Sequence, residues 1–137
     1  MQVNPYLLFS GNCAEALQFY EDILGGKIVS LITHRETPMA GHVSPEWQDK
    51  VIHARMTIGD TILMASDAPP EYYHTPGGFS VSLLVDSAEE AERVFAALSD
   101  GGEVRMPISE TFWAVRFGMC TDKFGIPWMV NFQKPMP

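Results

Sequence analysis

The strongest constraint on this 137-residue chain is that its pattern of structural signals runs twice. A short apolar run, Pro5 to Phe9, meets the turn and cap residues Ser10-Gly11-Asn12. Cys13, Ala16, Leu17, Tyr20 and Leu24 then recur at helical spacing until Gly25-Gly26 stops the helix. The same order begins again with the apolar stretch Phe79 to Val85. Ser87 stands as a cap, Ala88, Ala91, Phe95 and Leu98 share one helical face, and Gly101-Gly102 ends it. Asn12 and Ser87 are 75 residues apart and Gly25 and Gly101 are 76 apart, so cap, helix and stop recur in phase. Asn12 with Glu15, and Ser87 with Glu90, each have capping-box spacing.

Behind each helix the pattern predicts three strands. In the first half these are Lys27 to His34, Val51 to Ile58 and Thr61 to Ser66, with Gly59-Asp60 as a hairpin turn. In the second half they are Glu103 to Met106, Trp113 to Thr121 and Ile126 to Phe132. Asp122-Lys123-Phe124-Gly125 supplies the turn before the last strand. The expected fold is therefore α+β: two tandem βαβββ modules, about 3–67 and about 79–133, joined by a Pro- and Gly-rich linker at about 68–78. The hairpin glycines Gly59 and Gly125 are only 66 apart, so residues 36–50, with Pro38, Gly41 and Pro45, form a loop peculiar to module one and a candidate lid.

Nine Lys and Arg against seventeen Asp and Glu give a net charge of −8, which leaves no basic stripe for nucleic acid. The longest apolar runs fall far short of the roughly 20 residues needed to span a bilayer, and no signal peptide is apparent, so a cytoplasmic protein without membrane partners is expected. Cys13 and Cys120 lack the short spacings of zinc or redox motifs and are expected as buried free thiols, with a disulfide disfavoured by a reducing cytosol.

One helix covers only one face of a small sheet, so the opposite faces pack together or enclose a space. Alternation directs His53, Arg55, Met64 and Ser66 to that face in module one, and Ser80, Ser82, Arg116, Met129 and Asn131 in module two. Such a mixture of small, polar and flexible groups suits a cavity lining. Arg55 and Arg116 offer the paired donors that match an oxyanion, or else make structural ion pairs with the many carboxylates. His53 is either a ligand or acid/base group or a hydrogen-bonded sheet histidine. Met64 and Met129 suit an adaptable wall, and Trp113 closes over a flat ligand or fills a core. These ten residues are the expected substrate-binding set. No catalytic residue is assigned, and Glu110 reads as a solvated carboxylate.

The segments PYLLFSGNCAEALQFY at Pro5 to Tyr20, ETFWA at Glu110 to Ala114 and TDKFGIPWMVN at Thr121 to Asn131 closely resemble the PhnB/YjdN-like branch of the vicinal-oxygen-chelate superfamily of glyoxalases, extradiol dioxygenases and bleomycin-resistance proteins. The resemblance covers nearly the whole chain. It implies paired βαβββ modules with concave sheets and a homodimer. It also implies four metal-ligand positions, which fall at Pro5, Ser80 and about Met64 and Met129, where catalytic relatives carry His or Glu. Hard divalent cations need imidazole or carboxylate donors, so no metal and no cofactor are expected. Some members carry a methyltransferase label, yet no strand here is followed by a glycine-rich nucleotide turn.

The expected function is a small-molecule binding protein or a metal-independent enzyme, its substrate unknown. The alternatives are a metal-dependent lyase, isomerase or dioxygenase with a rearranged site, and a protein that sequesters a drug unchanged.

Overall fold

A computed structural model describes residues 1–135. The chain folds as two compact units that divide after His74. In the first, β1 (Tyr6–Phe9), α1 (Cys13–Leu24), β2 (Lys27–Thr33), β3 (Val51–Ile58) and β4 (Thr61–Asp67) build a sheet of order β1-β4-β3-β2. In the second, β5 (Val81–Leu84), α2 (Ala88–Ser99), β6 (Glu103–Ser109), β7 (Ala114–Thr121) and β8 (Pro127–Gln133) repeat that order as β5-β8-β7-β6. In both, the first strand pairs parallel with the last and the other pairs are antiparallel. This is the α+β arrangement of two repeated modules that the sequence predicts.

Each helix covers one sheet face. In the first unit Ala16, Leu17 and Tyr20 of α1 are buried with Leu7, Phe9, Ala54, Met56, Leu63 and Ala65 of the sheet. In the second, Ala91, Val94, Phe95 and Leu98 of α2 are buried with Cys120, Trp128 and Val130. The glycine pairs do more than stop helices. A Cβ on Gly26 would sit 2.6 Å from the Thr57 carbonyl oxygen, and one on Gly102 would collide with the equivalent Thr121 carbonyl. The missing side chain is what lets the chain pass against β3 and β7 on its way into the next strand.

The helix starts differ from expectation in one case. Ser87 accepts a hydrogen bond from the Glu90 amide at 3.0 Å and caps α2. Asn12 makes no cap bond. The buried Asp67 at the end of β4 takes its place, with Oδ1 accepting from the amides of Gly11 (3.0 Å) and Cys13 (2.9 Å) and Oδ2 accepting from Val51 (2.9 Å). A carboxylate outcompetes the neutral Asn amide for the N–H group that the first turn of the helix leaves unpaired, and β1–β4 pairing delivers it there.

The long loop of the first unit folds into three short 3₁₀ turns, His34–Glu36, Pro38–His42 and Pro45–Trp47. Its two ends are tied by Arg35 N–H to the Gln48 carbonyl at 2.8 Å, and Gln48 Nε2 donates to the Ala40 carbonyl at 2.7 Å. Lys50 Nζ donates to the Gly11 carbonyl at 2.8 Å, fastening the loop to the start of α1.

Cys13 and Cys120 are both buried and free. Burial first, and the Asp67 carboxylate second, push the Cys13 thiol up to about 12; burial and then Asp122 push Cys120 up to about 11. The folded thiols hold protons that unfolded thiols, with a pKa of about 8.5, have lost, so stability is full below about pH 8.5 and falls as pH rises toward the folded values. The slope in that window is about 1.4 kcal/mol per pH unit for each thiol. Urea midpoints measured at rising alkaline pH should fall, and should fall less steeply in Cys13→Ala and Cys120→Ala. Equal slopes in wild type and both variants would contradict this origin.

Candidate ligand-binding site

The sheet face away from α1 carries Tyr6 and Leu8 of β1, His53 and Arg55 of β3, and Met64 and Ser66 of β4. Register places Tyr6, Met64 and Arg55 side by side across the strands. The Tyr6 hydroxyl and His53 Nδ1 are 3.1 Å apart, and their rings lie 5.7 Å apart. Tyr6 and Leu8 are exposed. Thus four of the expected residues share a face, and His53 is hydrogen-bonded within it.

In the second unit the face away from α2 carries Ser82 and Leu84 of β5, Met129 and Asn131 of β8, and Phe117 and Met119 of β7. Ser82, Met129 and Met119 follow one another across the strands, as do Leu84, Asn131 and Phe117. Asn131 is buried, and its Oδ1 has no hydrogen-bond donor among the described residues.

A cavity of about 350 Å³ opens on this face, at the lower end of the range for small-molecule sites. Met119, Met129 and Pro127 form its floor, and Phe79 with the segment Pro76-Gly77-Gly78 forms one wall. Ser80 and Arg105 contribute polar groups. Of the expected set, Ser80 and Met129 line this cavity, and Ser82 and Asn131 share its face. Trp113 is not part of the lining; it sits edge-on to Phe112 and Phe117 with centroids 4.8 and 5.2 Å apart.

Arg116 corrects the parity argument. From Arg116 to Thr121 β7 pairs with β8 without a shift and Met119 lies opposite Met129, so Arg116 falls on the other face with Gly118 and Cys120, and its guanidinium Nε donates to Glu92 Oε1 of α2 at 3.0 Å. Arg116 therefore lies on the helix side, and its ion-pair reading is the one observed. Glu110, for its part, pairs with Lys134 at 2.9 Å, which lowers its carboxyl below the usual range, by the hydrogen bond first and then by charge.

Arg105 was not among the expected residues. Val104 pairs with Cys120 and Met106 with Met119, so Arg105 is the extra residue of a β-bulge. Bulges re-aim side chains, which strict alternation does not anticipate. The sequence does carry a signal: Arg105 and Pro107 interrupt the apolar positions Val104, Met106 and Ile108, and proline marks edge strands and bulges.

The four metal-ligand positions implied by the resemblance do not fit a divalent cation. Met64 lies beside the cationic Arg55 in the first unit, and Ser80 and Met129 share their cavity with Arg105 in the second. Thioethers and a hydroxyl are poor ligands for a hard ion, and an adjacent guanidinium repels it. Among the described residues no three His, Cys, Asp or Glu side chains are grouped to hold a metal. No described helix is long and apolar enough to cross a membrane.

The model of the Glyoxalase/Bleomycin resistance protein/Dioxygenase superfamily matches residues 2–130. Protein YjdN of Escherichia coli (strain K12) is 38% identical over 145 aligned positions, covering 100% of this chain and 99% of that protein. Among solved structures, protein PA1353 from Pseudomonas aeruginosa is similar with a TM-score of 0.89 at 47% identity, covering 98% of this chain and 99% of that one. The PhnB protein from Bacillus cereus is similar with a TM-score of 0.79 at 26% identity, covering 96% and 99%. With its repeated βαβββ units and a family match over nearly its full length, the chain belongs to the Glyoxalase/Bleomycin resistance protein/Dioxygenase superfamily.

Proposed function

We propose that this chain binds a small organic molecule in the cavity on the open sheet face of its second unit, without a metal ion. The observation that carries this reading is the cavity itself. An apolar floor of Met119, Met129 and Pro127 meets a few polar groups from Ser80 and Arg105, the composition typical of ligand sites. The two methionines adapt in shape, which suits a ligand that is gripped by packing and oriented by a few hydrogen bonds. The buried free thiols Cys13 and Cys120 suit a reducing compartment, and we place the protein in the cytoplasm.

The test uses methyl-labelled methionine and a small-fragment screen read by NMR. Bound fragments are expected to shift the methyl resonances of Met119 and Met129, and Met129→Trp, which fills the cavity, should abolish their binding. Binding that is unaffected by Met129→Trp would place the ligand elsewhere and overturn this reading.

A further inference from the structure

We infer that the ligand of the second-unit cavity is a small organic oxyanion, a carboxylate or phosphate monoester on a short apolar chain, with Arg105 as its anchor. This rests on the reading of that cavity as a ligand site. The guanidinium is already positioned: its Nε donates to Thr121 Oγ1 at 2.7 Å. Its two terminal nitrogens make no hydrogen bond or ion pair among the described residues. Two parallel N–H donors in a fixed plane match the two oxygens of a carboxylate or phosphate.

The rest of the cavity agrees in sign. No Asp or Glu lines it, although the chain carries seventeen of them, so nothing in the lining competes for the arginine or repels an anion. The Ser80 hydroxyl is a further donor on the same lining. Gly77 and Gly78 also line the cavity, their backbone amides make no backbone hydrogen bond among the described residues, and neither has a side chain to screen its amide. Met119, Met129 and Pro127 add apolar side chains to the same lining, and a bare inorganic ion would leave most of the about 350 Å³ unfilled.

The duplication makes the feature specific to one unit. The bulge of β6 has a counterpart in β2, where Ile28 pairs with Met56 and Ser30 with Arg55, leaving Val29 as the extra residue. Val29 and Arg105 are 76 positions apart, the same interval as Gly25 and Gly101. Thr57 and Thr121 are likewise equivalent, pairing with Lys27 and Glu103 at the starts of β2 and β6. One backbone device thus presents a half-exposed valine in the first unit and a tethered cation over a cavity in the second.

The test titrates octanoate, octyl phosphate and neutral octanol into the full chain and follows the methionine methyl resonances. The anions are expected to bind at least about tenfold more tightly than octanol, and their affinity ratio identifies which headgroup is preferred. Arg105→Gln should erase that advantage and leave octanol unchanged, with the thermal midpoint retained because the residue is exposed on an edge strand. Thr121→Val should weaken the anions and Thr121→Ser should restore them, which separates positioning of the guanidinium from general packing. If octanol binds as tightly as the anions, or Arg105→Gln weakens all three equally, the oxyanion assignment falls while the cavity stands. If Met129→Trp leaves all three affinities intact, the cavity reading falls and the assignment with it.

Discussion

Asp67→Ala is expected to destabilise the chain by about 3–5 kcal/mol, a large part of the stability of an ordinary domain. The carboxylate accepts from the amides of Gly11, Cys13 and Val51, which belong to three separate stretches of the first unit: the turn after β1, the first residue of α1 and the first residue of β3. Asp67 is only 7% exposed and Cys13 and Val51 are fully buried, so water cannot replace the lost acceptor without opening the structure. An unsatisfied buried donor costs about 1–3 kcal/mol, and truncation leaves as many as three together with a cavity. Asp67→Asn retains one acceptor oxygen but turns an N–H toward another donor, so an intermediate loss is expected. Urea unfolding of the three proteins gives the ordering directly; an Ala variant within about 1 kcal/mol of wild type would show that the three amides find other partners.

Asp122→Ala is expected to cost about 2–4 kcal/mol in the second unit, through a different structure. Here Oδ1 accepts from Phe124 at 2.8 Å and Ile126 at 3.0 Å, closing the turn between β7 and β8, while Oδ2 accepts from the indole Nε1 of Trp128 at 2.8 Å. Trp128 is the largest fully buried side chain, and this bond gives its polar edge a partner in the core. Trp128→Phe should therefore lose stability through both volume and the vacated carboxylate oxygen. The double variant with Asp122→Ala should be less destabilised than the sum of the two single changes, because they remove the same hydrogen bond. Additive losses in urea unfolding would mean that Asp122 acts through the turn alone.

Both aspartates show what was legible in the residues and what was not. Asp122 reads as a turn residue from its position before Lys123-Phe124-Gly125, and the turn is there. Its second oxygen, occupied by an indole six residues on in the facing strand, follows only from folding the hairpin. Asp67 follows the expected strand Thr61 to Ser66 and carries no local signal of its role. That it caps α1 in place of Asn12 depends on parallel pairing of β1 with β4, a contact between residues more than fifty positions apart.

The candidate site divides in the same way. Strict alternation placed His53, Arg55, Met64 and Ser66 on one face, because β3 and β4 run without a bulge between them from Ala54 to Ile58. Arg116 was misplaced because the hairpin register sets Met119, not Arg116, opposite Met129, and Arg105 was passed over because it lies at a bulge, where an inserted residue reverses the facing of its neighbours.

What the sequence by itself determined is the repeated order of strand, helix and hairpin, because caps, helical spacing and turn glycines act over a few residues and leave their mark locally. The tertiary structure alone decided which arginine reaches the cavity, which carboxylate caps α1 and which polar atoms stay unpaired. Those outcomes depend on register between distant strands, and a single extra residue in a β-bulge is enough to change the face to which a side chain belongs.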